Sequence, residues 1–294
     1  MRGPRARRGD RRGFGPRPER LVNGSANPPA GAREHAQGKA ARLWEVDAAR
    51  GVAILMVVLY HLVYDLDSFG GYPIDSTSGF WGAFADVSAF AFVFLAGLSL
   101  ALSHARASGE GRANSFGRYL LLRGARIFAY GMLITLVFWA LDFGAVVFGI
   151  LHLIGASIVL SYPFLKLRPS YLALLGLPIV AAGIYLLATY DASNFGIVVA
   201  VLLAPFGIEP IGLSMPDYRP LLPWFGVVLL GLAFGKAAYD TGRPGARTRG
   251  ETEDPTFAVR SLAFLGRHTL FIYLVHQPVL VAALWVLGVI EPGF

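Results

Sequence analysis

The stretch DAARGVAILMVVLYHLVYDLDSFG (residues 47–70) decides the fold class. Its apolar run approaches the roughly 20 residues that an α-helix needs to cross the hydrocarbon core of a bilayer. Arg50 lies at one end of the run, His61 in its interior and Asp65 near its other end. Ionisable residues in membrane helices usually face the bundle interior and mark a functional site. The stretch therefore predicts a membrane helix that carries part of such a site.

The composition of the whole chain supports a membrane protein. Hydrophobic residues make up 55% of the 294 residues, and charged residues only 15%, against about 25% in soluble domains. Further apolar runs are continuous rather than alternating, which favours helices over a β-barrel. We therefore predict an all-α, polytopic transmembrane helix bundle. The absence of cysteine excludes disulfides, thiol catalysis and thiolate metal sites.

The apolar runs predict about seven membrane spans. They cover residues 48–67, 79–103, 118–141, 144–165, 169–189, 220–239 and 267–289. One more apolar segment, 196–207, is short for a span and is predicted to be re-entrant or interfacial.

Charge distribution sets the predicted orientation. Basic residues concentrate in the N-terminal tail and in alternate loops, which places the N-terminus in the cytoplasm by the positive-inside rule. If segment 196–207 crossed as an eighth span, the basic 236–267 loop would lie outside, so seven crossings are favoured. We predict an integral protein of the cytoplasmic (cell) membrane. The lipid bilayer is its expected partner and nucleic acid is not, despite a net charge of +7; homo-oligomerisation stays open.

The chain is predicted to divide into two parts. Residues 1–41 are rich in Arg, Gly and Pro and poor in apolar side chains. Such a segment cannot bury enough surface to fold, so we predict a disordered basic cytoplasmic tail. Residues 42–294 are predicted to form a single transmembrane domain.

Three polar residues fall at about the same predicted depth, in the outer part of the bilayer. They are His61 in the first span, Asp86 in the second and His152 in the fourth. Arg50 and His61 are eleven residues apart, about three helical turns, and so share one face. We predict that these residues line one functional site.

Each of the further candidate residues could have a structural role instead of a functional one. His276 lies in the last span, and Arg123 and Arg126 lie just inside the third. A lone histidine can serve only an interhelical hydrogen bond, and the two arginines can serve only the positive-inside bias. Without cysteine or an HExxH motif, we predict no metal site.

Four segments together resemble a known family: DAARGVAILMVVLYH (47–61), FGILHLIG (148–155), DYRPLLPWFG (217–226) and TLFIYLVHQP (269–278). They are similar to the short prokaryotic members of the heparan-α-glucosaminide N-acetyltransferase-like family, within the transmembrane acyltransferase superfamily. The loop after the first helix has no histidine, whereas the eukaryotic enzyme for which the family is named has its proposed catalytic histidine there. The glucosamine acceptor is therefore not carried over.

The resemblance implies acyl transfer across the membrane. Acetyl-CoA or another acyl-CoA binds from the cytoplasm, and a sugar or glycan acceptor sits on the far side. The superfamily pattern of an arginine, ten residues and a histidine is met by Arg50 and His61. It implies that Arg50 binds the donor and that His61 is the general base.

The chemistry of acyl transfer extends these roles to other residues. Asp65 or Asp86 is expected to orient the His61 imidazole, and His152, Tyr273 or His276 to stabilise the oxyanion. Arg50, Arg123 and Arg126 are expected to bind the donor phosphates. Two alternatives stay open at this point, a proton-coupled small-molecule transporter and a non-catalytic membrane scaffold.

Overall fold

A computed structural model describes residues 43–140, 147–189, 197–208, 217–239 and 256–290. These residues form α-helices and short 3₁₀ turns, and the described ranges contain no β-strand beyond an isolated bridge between Gly149 and Tyr218. The predicted all-α bundle is confirmed. The predicted tail, residues 1–41, lies outside the described ranges.

Nine α-helices are described. They are α1 (Trp44–Gly70), α2 (Gly79–Gly109), α3 (Phe116–Ala140), α4 (Ile150–Leu160), α5 (Pro169–Thr189), α6 (Ile197–Leu203), α7 (Leu221–Ala238), α8 (Phe257–Arg267) and α9 (Thr269–Val286). Six of these, α1, α2, α3, α5, α7 and α9, are long and apolar enough to cross a membrane. The chain is an integral membrane protein.

One predicted span contains a shorter helix in the structure than the sequence suggested. The predicted fourth span, 144–165, contains the 11-residue helix α4 and a 3₁₀ turn at Tyr162–Phe164, and α4 extends only about 16 Å at 1.5 Å per residue. The segment predicted to be re-entrant, 196–207, contains the 7-residue helix α6 and the turn Ala204–Phe206. Hydropathy detects both segments, but it does not detect where a helix ends.

Helix α8 lies in the segment that the sequence analysis treated as a basic inner loop. It is strongly amphipathic, with Ala263 and Gly266 buried and Phe257 and Phe264 exposed. Averaging over its polar and apolar faces hides such a helix from a hydropathy scan. His268 separates α8 from α9, so the last apolar helix begins at Thr269 rather than at residue 267.

Glycines allow the closest helix crossings. A Cβ atom on Gly97 of α2 would lie 2.1 Å from the Val228 carbonyl oxygen of α7, and one on Gly266 of α8 would lie 1.7 Å from the Asp47 carbonyl oxygen of α1. Small residues at such contacts are typical of membrane helix packing. Helix α7 thus packs on α2 and α5, and α1 packs on α2, α8 and α9. The second of these two groups of helices carries most of the candidate site.

Candidate functional site

A basic pocket of about 230 Å³ lies at the N-terminal end of α1. Four arginines contribute to its lining: Arg50 from α1, Arg106 from α2, Arg123 from α3 and Arg267 from α8. Ser99, Ser103 and Tyr119 add hydroxyl groups. Guanidinium groups bind phosphate oxygens through paired N–H donors, so this pocket can bind a polyanionic ligand.

Arg50 is held in this pocket by neighbours on two helices. Its Nη1 donates to Asp47 Oδ1 at 3.0 Å, and its Nε donates to Ser99 Oγ at 3.1 Å. Ser99 in turn donates to the Leu95 carbonyl oxygen. These contacts fix the direction of the guanidinium between α1 and α2. The predicted polar residue at this end of the first helix therefore has a defined orientation.

The two arginines predicted on α3 separate in the structure. Arg123 lines the basic pocket, whereas Arg126 is exposed and does not contribute to the lining. Arg126 lies about 4.5 Å further along the helix axis than Arg123, beyond the residues of α3 that line the pocket. The structure brings Arg50 and Arg123 together and leaves Arg126 apart from them.

An imidazole pair lies further along α1. The His61 and His276 rings meet edge to face, with centroids 4.7 Å apart and an interplanar angle of 85°. His61 Nδ1 lies 2.8 Å from the Val57 carbonyl oxygen, and His276 Nδ1 lies 2.7 Å from the Tyr273 carbonyl oxygen. Because a carbonyl oxygen only accepts, each Nδ1 carries a proton in the neutral ring and each Nε2 is the basic atom. Two basic nitrogens from different helices thus belong to one ring pair.

The expected carboxylate partner of His61 is occupied elsewhere. Asp65 is fully buried, and its Oδ1 accepts a hydrogen bond of 2.6 Å from Gln277 Nε2. Asp86 is largely exposed and pairs with Arg219 at 3.5 Å. The Val57 carbonyl oxygen takes the position at His61 Nδ1 that a carboxylate was expected to hold.

Asp217 connects two helices of the site, and the sequence analysis included it only as the first residue of the segment DYRPLLPWFG. Its Oδ2 accepts a 2.7 Å hydrogen bond from the Tyr273 hydroxyl and one of 3.2 Å from the Ile150 backbone N–H at the start of α4. Burial raises the pKa of this carboxyl, and the Tyr273 hydrogen bond and the Arg219 charge oppose that rise. The sequence signal that could have indicated this role is the acid two residues before the arginine in DYRPLLPWFG.

His152 lies at the start of α4. Its Nδ1 accepts a 3.1 Å hydrogen bond from the Gly149 backbone N–H, and its ring contacts the Phe128 and Phe148 rings. The side chain is 1% exposed. Its Nδ1 therefore has a helix-capping role, and Nε2 carries the proton.

Residues 217–219 contact Asp86 and the helix that carries His152, two of the three side chains that were predicted at one depth. Asp217 contacts the first turn of α4, which carries His152, and the Tyr273 hydroxyl of α9, one turn before His276. Arg219 pairs with Asp86 and lies 5.3 Å from the Trp224 ring centre. The described residues contain no group of three or more His, Asp or Glu that could hold a metal ion.

The fold and the site together define an integral membrane protein with polar groups buried between its helices. The family described as "Heparan-alpha-glucosaminide N-acetyltransferase, catalytic" matches residues 42–278, and the chain belongs to this family. No curated protein and no solved structure matches the chain. Membership makes it a membrane acetyltransferase-like protein, a class that uses an acyl-CoA donor and a sugar acceptor in general. The resemblance seen in the four sequence segments is confirmed.

Proposed function

We propose that the protein transfers an acyl group, expected to be acetyl, from cytoplasmic acyl-CoA to a hydroxyl or amine of a sugar or glycan on the outer side. The observation that carries this proposal is that α1 holds an arginine of the basic pocket at one end and an imidazole of the ring pair towards the other. Arg50 and His61 are about 16 Å apart along the helix axis at 1.5 Å per residue. A thin pantetheine arm suits that separation.

The donor site is assigned to the basic pocket. Its arginines match the phosphate groups of coenzyme A in charge and in hydrogen-bond geometry. Asp47 also lines the pocket, but it is already paired with Arg50. In this assignment Arg50 and Arg123 act as predicted, and Arg106 and Arg267 join them.

The reaction needs a base on the acceptor. In the proposed step, His61 Nε2 takes the proton from the acceptor hydroxyl or amine as that group attacks the thioester carbonyl carbon. A new C–O or C–N bond forms, the C–S bond breaks, and the coenzyme A sulfur leaves and takes up a proton. The Nδ1 bond to Val57 keeps the basic Nε2 available for this role.

The other predicted site residues differ in how well their surroundings suit the chemistry. His152 Nε2 is a buried N–H donor without a hydrogen-bond partner among the described residues, so it suits an oxyanion better than the Tyr273 hydroxyl, which donates to Asp217. His276 supports the ring of the base. Asp86 with Arg219 presents a polar pair of which the carboxylate is accessible, and it suits acceptor hydroxyls.

The orientation and the domain division belong to the same proposal. A cytoplasmic N-terminus places the basic pocket at the cytoplasmic face, because α1 begins at Trp44 close to that pocket. The proposal places the protein in the cell membrane and treats residues 42–294 as one catalytic domain. Cysteine labelling from either side of the membrane, in a chain that has no native cysteine, tests the orientation directly.

The decisive experiment compares His61→Ala and His61→Gln with the wild type in an acyl-CoA-dependent transfer assay. Loss of a general base lowers the rate by about 10²–10⁴-fold, while binding of acetyl-CoA at the basic pocket is expected to stay unchanged. Acetyl-CoA binding is read as thermal stabilisation of the purified protein. Activity that persists in both variants would show that His61 is structural, and a wild type that acetyl-CoA does not stabilise would contradict the donor assignment.

A further inference from the structure

The buried contact between Asp65 and Gln277 joins α1 to α9 beside the imidazole pair. Gln277 Nε2 donates to Asp65 Oδ1 at 2.6 Å, and the Asp65 side chain has no exposed surface. No ion pair of the described residues includes Asp65. Burying an ionised carboxylate without a cation beside it destabilises the folded state. The charge state of Asp65 must therefore be explained.

The second carboxyl oxygen of Asp65 and the amide oxygen of Gln277 indicate the charge state of Asp65. Asp65 Oδ2 and Gln277 Oε1 are both buried, and neither has a hydrogen-bond partner among the described residues. If Asp65 were ionised, both atoms would be acceptors without a donor. A buried acceptor without a donor destabilises the folded state. A single proton on Oδ2 turns one acceptor into a donor for the other, since each of these atoms belongs to the same planar group as an atom of the existing hydrogen bond.

We propose that Asp65 is held as a neutral carboxylic acid in a two-hydrogen-bond pair with the Gln277 carboxamide, and that this pair positions His61 against His276. In it, Gln277 Nε2 donates to Asp65 Oδ1, and the Asp65 hydroxyl donates to Gln277 Oε1. The role in positioning rests on the acyltransfer function proposed above. The charge state of Asp65 does not.

The position of the pair explains its effect on the imidazoles. Asp65 lies one turn after His61 on α1, and Gln277 directly follows His276 on α9. A planar acid–amide pair fixes both the distance and the rotation of the two helices at this level. Asp65 is therefore a positioning residue that acts through His61, and Gln277 acts through His276.

The titratable groups around the pair leave it without a compensating charge. On α1 and α9 these are His61, His276 and Tyr273, and on α2 Asp86 is paired with Arg219. Arg267 of α8 lies at the other end of α1, where it lines the basic pocket. A neutral acid in this position therefore fits its surroundings.

Infrared spectroscopy of the full-length protein, with aspartate labelled by ¹³C at the carboxyl carbon, tests the charge state at neutral pH. The wild type should show a carboxylic acid C=O band that shifts with the label and in D₂O, and Asp65→Asn should lack it. The same spectrum of Asp217→Asn serves as a control, because Asp217 is another part-buried aspartate that could contribute an acid band. If the Asp65→Asn spectrum shows no loss of an acid band, Asp65 is ionised and the proposal is overturned.

Two variants test the positioning role. Asparagine at this position accepts and donates as the neutral acid does, so Asp65→Asn should keep kcat within about threefold and leave the pH profile unchanged. Asp65→Leu removes both hydrogen bonds, and misplacing the base by about 1 Å can lower kcat by about 100-fold.

The outcomes separate this proposal from the proposed function. A large fall in kcat or a shifted pH profile in folded Asp65→Asn overturns the neutral pair, and full activity in Asp65→Leu overturns the positioning role. If no form of the protein transfers acyl groups, the function fails, and the infrared band still decides the charge state of Asp65.

Discussion

Replacement of Gly266 by alanine should distort the basic pocket through helix packing. A Cβ atom at this position would lie 1.7 Å from the Asp47 carbonyl oxygen of α1, and non-bonded heavy atoms approach best at about 3.5–4.0 Å. Helices α1 and α8 must therefore separate by roughly 2 Å. The contacted atom is backbone, so no side-chain rotation relieves the clash.

The size of the effect follows from two opposing contributions. Overpacking costs about 1–3 kcal/mol, and alanine regains at most about 1 kcal/mol of helix propensity. The net loss is therefore about 1 kcal/mol, which lowers the unfolding midpoint by about 2–4 °C for a domain of this size. Because Arg267 on α8 and Arg50 on α1 both line the pocket, we also expect the KM for acetyl-CoA to rise about tenfold, equivalent to one weakened charge-assisted hydrogen bond.

The assay is thermal unfolding of purified protein in detergent, followed by acetyl-CoA titration of the activity. Gly109→Ala is the matched control, because Gly109 ends α2 at an exposed position with no atom within 4 Å of a new Cβ. The control should keep both the unfolding midpoint and the KM of the wild type. A Gly266→Ala protein as stable as the control, with an unchanged KM, would show that α1 and α8 tolerate a Cβ at this contact.

Two further predictions use other parts of the site. Arg123→Ala should raise the dissociation constant of acetyl-CoA, measured by thermal stabilisation, about tenfold or more, since a hydrogen bond to a charged group contributes about 1.5–3 kcal/mol. Arg126→Ala should leave that constant near the wild-type value because Arg126 lies outside the pocket. Equal effects in the two titrations would contradict the assignment of acyl-CoA to this pocket. The second prediction concerns Asp217, whose pKa burial raises, so that the fold favours its neutral form. The stability from this preference is complete below about pH 4, where an exposed aspartate titrates, and is lost as the pH rises through the raised pKa. Unfolding midpoints from pH 4 to pH 8 should therefore decline less in Asp217→Asn than in the wild type, and identical slopes would show that Asp217 is not the group responsible.

Some parts of the site were accessible from the sequence because they depend on one helix only. The spacing of Arg50 and His61 places them on one face of α1, and the structure has Arg50 in the basic pocket and His61 in the imidazole pair. Arg123 and His276 were candidates on their own helices, and they join Arg50 and His61 respectively.

Other parts depend on how helices rotate against one another, and the sequence did not reveal them. Asp65 was expected to hold His61, but its partner is Gln277, more than two hundred residues away. Asp217 lies in a short segment before α7, and only packing brings its carboxyl to Tyr273 and to the start of α4. Hydropathy contains no information on either contact.

Amino-acid composition and spacing identify this chain as a helical membrane protein with a polar stripe on its first span. Hydropathy and the 3.6-residue period are local properties, and they act before any tertiary contact forms. Only the tertiary structure decided which arginines share the basic pocket, that α8 packs on α1 through Gly266, and that Asp65 meets Gln277. The physical reason is that a buried polar group is satisfied by whichever partner helix packing brings within hydrogen-bond distance, and that partner is set by the crossing of two helices rather than by the spacing within one.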